Sequence, residues 1–178
     1  SLLGIFFFCV VSIPLLSYPS FLSYFNATVG GHTNGYLYAT DSNYDWGQDL
    51  KYLKKFIYRH NLCVTPVVEL SKFGRDKFCT PPQSTLPPIN KIRVDYFGGS
   101  DPKYYLGDAF IPWWESRTPE VGWYAISTFF YQESLYKKHA PGELSYAWLQ
   151  NKTPLARAGD SFFIYYISEE DITALSQK

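Results

Sequence analysis

The sequence predicts an α/β layered domain with a mainly parallel sheet, preceded by the end of a transmembrane helix. Three observations carry this expectation. The chain begins apolar and free of charge, short strand-like segments then alternate with helical ones, and the run Ser161–Ile167 is hydrophobic enough throughout to lie inside a sheet.

Taken in order, residues 1–40 contain no Asp, Glu, Lys or Arg. Leu2–Leu16 is nearly continuous apolar sequence, shorter than the ~20 residues of a full membrane span, so 1–25 reads as the end of such a span with its interfacial segment. Tyr18 and Tyr24, with the break at Pro19, resemble an interfacial belt. A secretory signal would need a basic beginning, which is missing. A core helix or buried hairpin is the competing reading for so short a run. Residues 26–178 form the following domain. Within it Gly35–Thr40 reads as a short aromatic strand, and Asp41–Asp49 as a strand-to-helix loop. A helix is expected from Trp46, with Asp45 as N-cap and Gln48 at the third position. Trp46, Leu50, Leu53 and Ile57 share its apolar face, while Lys51, Lys54, Lys55 and Arg59 take the other.

Residues 62–90 look like an insertion, held extended by Pro81, Pro82, Pro87 and Pro88. It contains Cys63 and Cys79; with Cys9 in the apolar run, these are the pair that an oxidising compartment would permit to bridge. Two separate thiols are the alternative, because spacing does not fix connectivity. Lys91–Phe97 alternates as a strand and ends at the Gly98-Gly99 turn. An aromatic loop region follows at 102–115, then a strand at 122–128, a helix at 129–138, a helical turn at 146–150 and the strand 161–167. Residues 169–178 close the chain as a short helix or tail.

The 178 residues include 16 basic and 16 acidic side chains, so no charge excess argues for nucleic acid. Aromatic residues make up 20% of the chain, with 16 tyrosines and 5 tryptophans, a composition for a core, an interface or a sugar-facing surface rather than for disorder. The absence of any methionine suggests a fragment of a longer protein.

Asp41-Ser42-Asn43-Tyr44-Asp45-Trp46-Gly47-Gln48-Asp49-Leu50, preceded by Tyr24-Phe25-Asn26, Gly30-Gly31 and Asn34-Gly35-Tyr36, resembles the end of polyprenyl-phosphate-dependent membrane glycosyltransferases of the dolichyl-phosphate-mannose protein mannosyltransferase type. Later pieces agree in order: Tyr96-Phe97-Gly98, Asp101-Pro102, Tyr104-Tyr105, Gly122–Ser127, and Pro154 with Gly159-Asp160-Ser161. The resemblance covers most of the chain, and the acidic run is its specific part. Tyr44 stands where leucine is usual, and 62–90 is extra. The resemblance implies a membrane enzyme that moves a sugar from a lipid-phosphate carrier to an acceptor on the extracytoplasmic side, periplasmic or lumenal. It also implies that the catalytic aspartate lies far upstream. This chain is then the last span's end plus a soluble C-terminal domain, non-catalytic alone, whose partners are the membrane, the upstream transmembrane part, the lipid-linked sugar and the acceptor.

Without the family, the acidic loop has two readings. Three aspartates at a helix start repel phosphate, so neutral hydroxyls or a cation suit Asp41, Ser42, Asn43, Asp45, Trp46, Gly47, Gln48 and Asp49 better, or these residues fix the loop locally. Calcium is disfavoured, because Trp46 stands where a calcium loop needs glycine and Tyr52 where it needs glutamate. No cofactor is expected. Asp101, Tyr104, Tyr105, Trp113, Trp114 and Glu115 suggest a carbohydrate platform, or equally ordinary packing. His32, His60 and His139 show no metal spacing. The rival to the membrane-enzyme reading is a stand-alone carbohydrate-binding or glycosidase-like domain.

Overall fold

The computed structural model describes residues 2–18, 20–41, 44–64, 79 and 85–176. Helix α1 (Leu2–Ser17) has 16 residues. At about 1.5 Å per residue it spans ~24 Å, short of the ~30 Å hydrocarbon thickness. No helix among the described residues is long and apolar enough to cross a membrane. Leu3, Phe6, Phe7, Phe8 and Leu15 point outward, so α1 is not a core helix of the domain.

Two short turns and the four-residue helix α2 (Gly31–Asn34) follow. The strand expected at Gly35–Thr40 is instead a 3₁₀ turn over Gly35–Leu37, because Tyr38 and Ala39 donate their N–H groups to the Gly35 carbonyl. Its Tyr36 turns onto the sheet, edge-to-face with Phe163 at 5.1 Å.

Helix α3 (Leu50–Val64) starts four residues later than the sequence suggests. Gln48 Oε1 accepts the Trp46 N–H at 2.8 Å, and Asp45 Oδ1 accepts the Gly47 N–H at 2.8 Å, so loop side chains claim the donors at the predicted start. The face of α3 is as expected from Leu50 onward, with Leu50 and Leu53 buried. The helix runs into the stretch read as an insertion, where Cys63 and Cys79 are bonded with their Cα atoms 5.5 Å apart. Pro81 and Pro82 lie outside the described residues. The end of that stretch is pinned to α3: Asn61 exchanges two hydrogen bonds with Ile89, and both His60 and the Trp123 indole bond the Pro87 carbonyl.

The five strands are β1 (Ile92–Asp95), β2 (Phe110–Pro112), β3 (Gly122–Ser127), β4 (Ala156–Ala158) and β5 (Phe162–Ile167), in the order β2-β1-β3-β5-β4. The sheet is mixed. β1 pairs in parallel with β2 and β3, whereas β5 pairs antiparallel with β3 and β4. Connection length accounts for the difference. Residues 96–109, with helix α4 (Pro102–Leu106), are long enough for a parallel crossover, but only Gly159–Ser161 joins β4 to β5, which permits a hairpin alone.

Period-two alternation divides the core between the two faces. Trp123, Ala125, Phe162 and Ile164 pack with Ile92 and Val94 against Leu50 and Leu53 of α3. Tyr124, Ile126, Phe163, Tyr165 and Ile167 face the other way, toward Trp113, Tyr146 and Leu149. On that second face Phe130 and Tyr131 of helix α5 (Thr128–Tyr136) and Ile172 of helix α6 (Glu169–Ser176) pack. Ser127 caps α5 by accepting the Phe129 N–H, and Ser168 with Asp171 forms a capping box on α6. Leu53→Ala should therefore lower stability by about 2–5 kcal/mol through lost contact and a cavity, seen as an earlier urea midpoint. Lys54→Ala, on the exposed side of the same helix, should change it by no more than about 0.5 kcal/mol.

Candidate functional site

After β1 the chain passes to β2 on one side, and β3 then lies on the other side of β1. The carboxyl ends of β1 and β3 therefore flank the point where strand order reverses, the usual ligand crevice of α/β sheets. The acidic loop lies across this edge. Gly98, just past β1, has φ +141°, and a Cβ there would overlap the Gly47 nitrogen and the Trp46 carbonyl carbon. The far end of the loop rests on the β4–β5 turn, where Gly159 has φ +64° and a Cβ would overlap the Asp49 carboxylate.

Asp49 is the joint. Its Oδ2 accepts the N–H groups of Asp160 and Ser161 at 2.7 and 2.9 Å, while its carbonyl receives Tyr52 and Leu53 at the start of α3. Asp160 is thereby turned toward the amino-terminal segment: its Oδ2 accepts from Ser23 at 2.5 Å and its Oδ1 meets His32 Nδ1 at 2.6 Å. Tyr44 donates to the His32 carbonyl at 2.6 Å, and Arg157 bonds the Thr33 and Asp160 carbonyls.

The carboxyls of this edge are unequal. Burial pushes Asp45 up to about 6, only partly offset by the Gly47 N–H, and pushes Asp49 upward as well. Asp95, at the end of β1, is pushed up to about 7 by burial; the 2.6 Å bond from the Tyr146 hydroxyl pulls it back, while Glu115 and Glu133 add to the rise. Burial also raises Asp160, but bonds from Ser20, Ser23 and His32 outweigh it and leave this carboxyl below its ordinary value. Asp45 Oδ2, Ser161 Oγ and Thr128 Oγ1 are buried without hydrogen-bond partners among the described residues. The Ser161 hydroxyl lies near enough to Asp45 and Asp49 to favour their ionised forms, yet outside bonding geometry. Two carboxyls that exchange protons near neutrality thus sit at one sheet edge. Such groups hold or release a proton at working pH.

The remaining expected residues scatter. Asp41 is exposed and its carbonyl accepts from Tyr44; Ser42 and Asn43 lie outside the described residues. Trp46 is not packed into the core: it is 55% exposed, with its ring 6.3 Å from Phe97. Gln48 holds the Tyr44 carbonyl at 3.1 Å. Asp101 caps α4 through the Lys103 N–H, Tyr104 is exposed, and Tyr105 meets it edge-to-face. Trp113 is buried beneath the Arg93 and Arg117 guanidinium groups, Trp114 is exposed under Arg117, and Glu115 pairs with Lys137 at 3.4 Å. No hydrogen bond or ring contact joins Asp101, Tyr104 and Tyr105 to Trp113, Trp114 and Glu115 among the described residues. No group of three or more His, Cys, Asp or Glu among the described residues is arranged to hold a metal ion. Asp95 and Tyr146 escaped the sequence reading, although an acidic residue ending an apolar alternation, Ile92-Arg-Val-Asp95, was the available signal.

Gly98→Ala should destabilise the fold by roughly 1–3 kcal/mol, from backbone strain and the clash with Gly47, measured by urea unfolding. The Asp95 effect has a definite sign. Folded Asp95 keeps its proton to about pH 7, whereas the unfolded chain releases it near pH 4, so between these values the folded state binds more protons. Raising the pH through that window lowers stability, by about 1.4 kcal/mol per unit of pKa separation. Urea midpoints measured from about pH 4 to about pH 8 should fall for the wild type and fall less for Asp95→Asn, with Asp45 leaving a residual slope.

No protein-family model, curated protein or solved structure matches this chain, so the roles of these residues follow from their geometry.

Proposed function

We propose that this chain is the membrane-anchored, extracytoplasmic C-terminal domain of a glycosyltransferase that moves a sugar from a polyprenyl-phosphate carrier to an acceptor. The observation that carries this reading is the run Asp41–Asp49, the specific part of the family resemblance, set in the joint between the charge-free segment and the sheet. Two features support it. The outward-facing phenylalanines of uncharged α1 are costly in water and suit a bilayer, and the Cys63–Cys79 bond suits an oxidising, extracytoplasmic compartment.

On this reading the local role of the domain is structural, or in acceptor or carbohydrate contact. Asp49 and Asp160 couple the membrane-proximal Ser23 and His32 to the sheet, and Tyr104 offers an exposed aromatic ring. Donor chemistry belongs to upstream residues, so the chain alone transfers nothing. A free carbohydrate-binding or glycosidase-like domain is the competing reading, and it leaves the exposed apolar helix unexplained.

Two measurements test the proposal. The chain should float with phosphatidylcholine vesicles on a density gradient. Membranes carrying the longer reading frame, with about ten further apolar stretches of ~20 residues, should transfer label from a polyprenyl-phosphate sugar, while this chain alone should not. Transfer by the chain alone, or an upstream frame without such stretches, overturns the proposal.

A further inference from the structure

On the second face of the sheet, away from α3, a cavity of about 530 Å³ opens between the start of β4, the middle of β5 and α5. Its volume lies within the range of small-molecule sites. Phe163 forms the floor, with Tyr36 and Tyr131 each standing edge-to-face on it at 5.1 and 5.4 Å. Tyr165, 1% exposed, is buried except where it lines the cavity. The hydroxyls of Tyr36, Tyr131 and Tyr165 have no hydrogen-bond partner among the described residues. All three residues line the same cavity, and burial raises the Tyr165 hydroxyl well above its ordinary value. A tyrosine hydroxyl can both donate and accept. Gln150 and Asn151 on the rim add two side-chain amides without hydrogen-bond partners among the described residues.

Two cations line the cavity, and only Lys152 is paired with a carboxylate among the described residues. Lys152 is held at 2.7 Å by both Asp171 oxygens. The Arg157 guanidinium lies between the Tyr36 and Phe163 rings, at 5.1 and 5.2 Å, with its terminal nitrogens on the Thr33 and Asp160 carbonyls. Arg157 has no carboxylate partner among the described residues and its Nε is buried without a hydrogen bond, so phosphate is the competing ligand. Arg157 takes one face each of Tyr36 and Phe163, so a ligand meets chiefly the Tyr131 ring, the tyrosine hydroxyls and the rim amides, which suit an apolar C–H face bordered by hydroxyl groups. From this geometry we infer that the cavity is a binding site for a neutral pyranose saccharide, formed by Tyr36, Tyr131, Tyr165, Phe163, Gln150 and Asn151. The site is separate from the acidic loop at the carboxyl edge, and its lining stands whether or not the chain belongs to a membrane enzyme.

The test uses the whole chain in a sugar-free zwitterionic detergent. Saturation-transfer NMR and calorimetric titration are run with methyl α-mannopyranoside, methyl α-glucopyranoside and methyl β-galactopyranoside, and with inorganic phosphate. At least one glycoside should bind and phosphate should not. Tyr131→Ala and Gln150→Ala should each weaken binding about tenfold, and the isosteric Tyr165→Phe about three- to tenfold through one lost hydrogen bond. Far-UV circular dichroism of the variants shows that they are folded; Gln150 lies on the exposed rim and keeps the test open if a tyrosine variant does not fold. Binding of phosphate in place of glycosides, binding of no glycoside, or unchanged affinity in the folded variants overturns the inference. The readout is binding by this chain alone, so glycoside binding without transfer by the longer protein would overturn only the proposed function.

Discussion

The Asp49 carboxylate is the point on which the joint between segments depends. It is buried, and burial raises its proton affinity, yet one of its oxygens receives two backbone N–H groups from the β4–β5 turn. Removing it would leave both donors unpaired in the interior, at about 1–3 kcal/mol each. The glycine requirement at 159 follows from the same contact, because a side chain would occupy the carboxylate's place. The bond fixes more than a turn. With its backbone held by Asp49, Asp160 can direct its side chain to Ser23 and His32, and so ties in residues well over 100 positions away.

A gradient of proton affinity runs through this region. Asp45 and Asp95 are held well above the ordinary carboxylate range chiefly by burial, whereas Asp160 falls below it because hydroxyls and an imidazole surround it. The stability effects oppose one another. The first two favour the folded state at lower pH; Asp160 contributes stability that is lost as pH falls below the ordinary carboxylate range.

Aromatic side chains serve two purposes in this molecule. Some fill the core with their polar ends satisfied, as Tyr124 does by bonding Glu120 and Tyr146 by bonding Asp95. Others stand at the surface or line the cavity: Tyr36 and Tyr131 at the cavity, and Trp46 at the carboxyl edge and the phenylalanines of α1 exposed. The high tyrosine content therefore does not reduce to packing.

Local periodicity determined much of the fold in the sequence itself. The strands around Ile92–Asp95, Gly122–Ser127 and Phe162–Ile167, the buried face of α3 from Leu50, helix α5 and the turn at Tyr146–Leu149 all depend on patterns within a few residues. The charge-free beginning was equally plain, and the Cys63–Cys79 pairing stood open until the structure joined the two residues. Strands β2 and β4, three residues each, are too short to show alternation and exist through their neighbours. The start of α3 was misplaced because Asp45 and Gln48 spend their bonds inside the loop. Asp49 was legible as part of a motif, but its partners lie 111 and 112 residues away. Asp95 and Tyr146 meet across 51 residues, and the cavity needs Tyr36, Tyr131 and Tyr165 from three separate elements. Such contacts are set by sheet order and by which face each strand presents, and neither is encoded in the spacing of neighbouring residues.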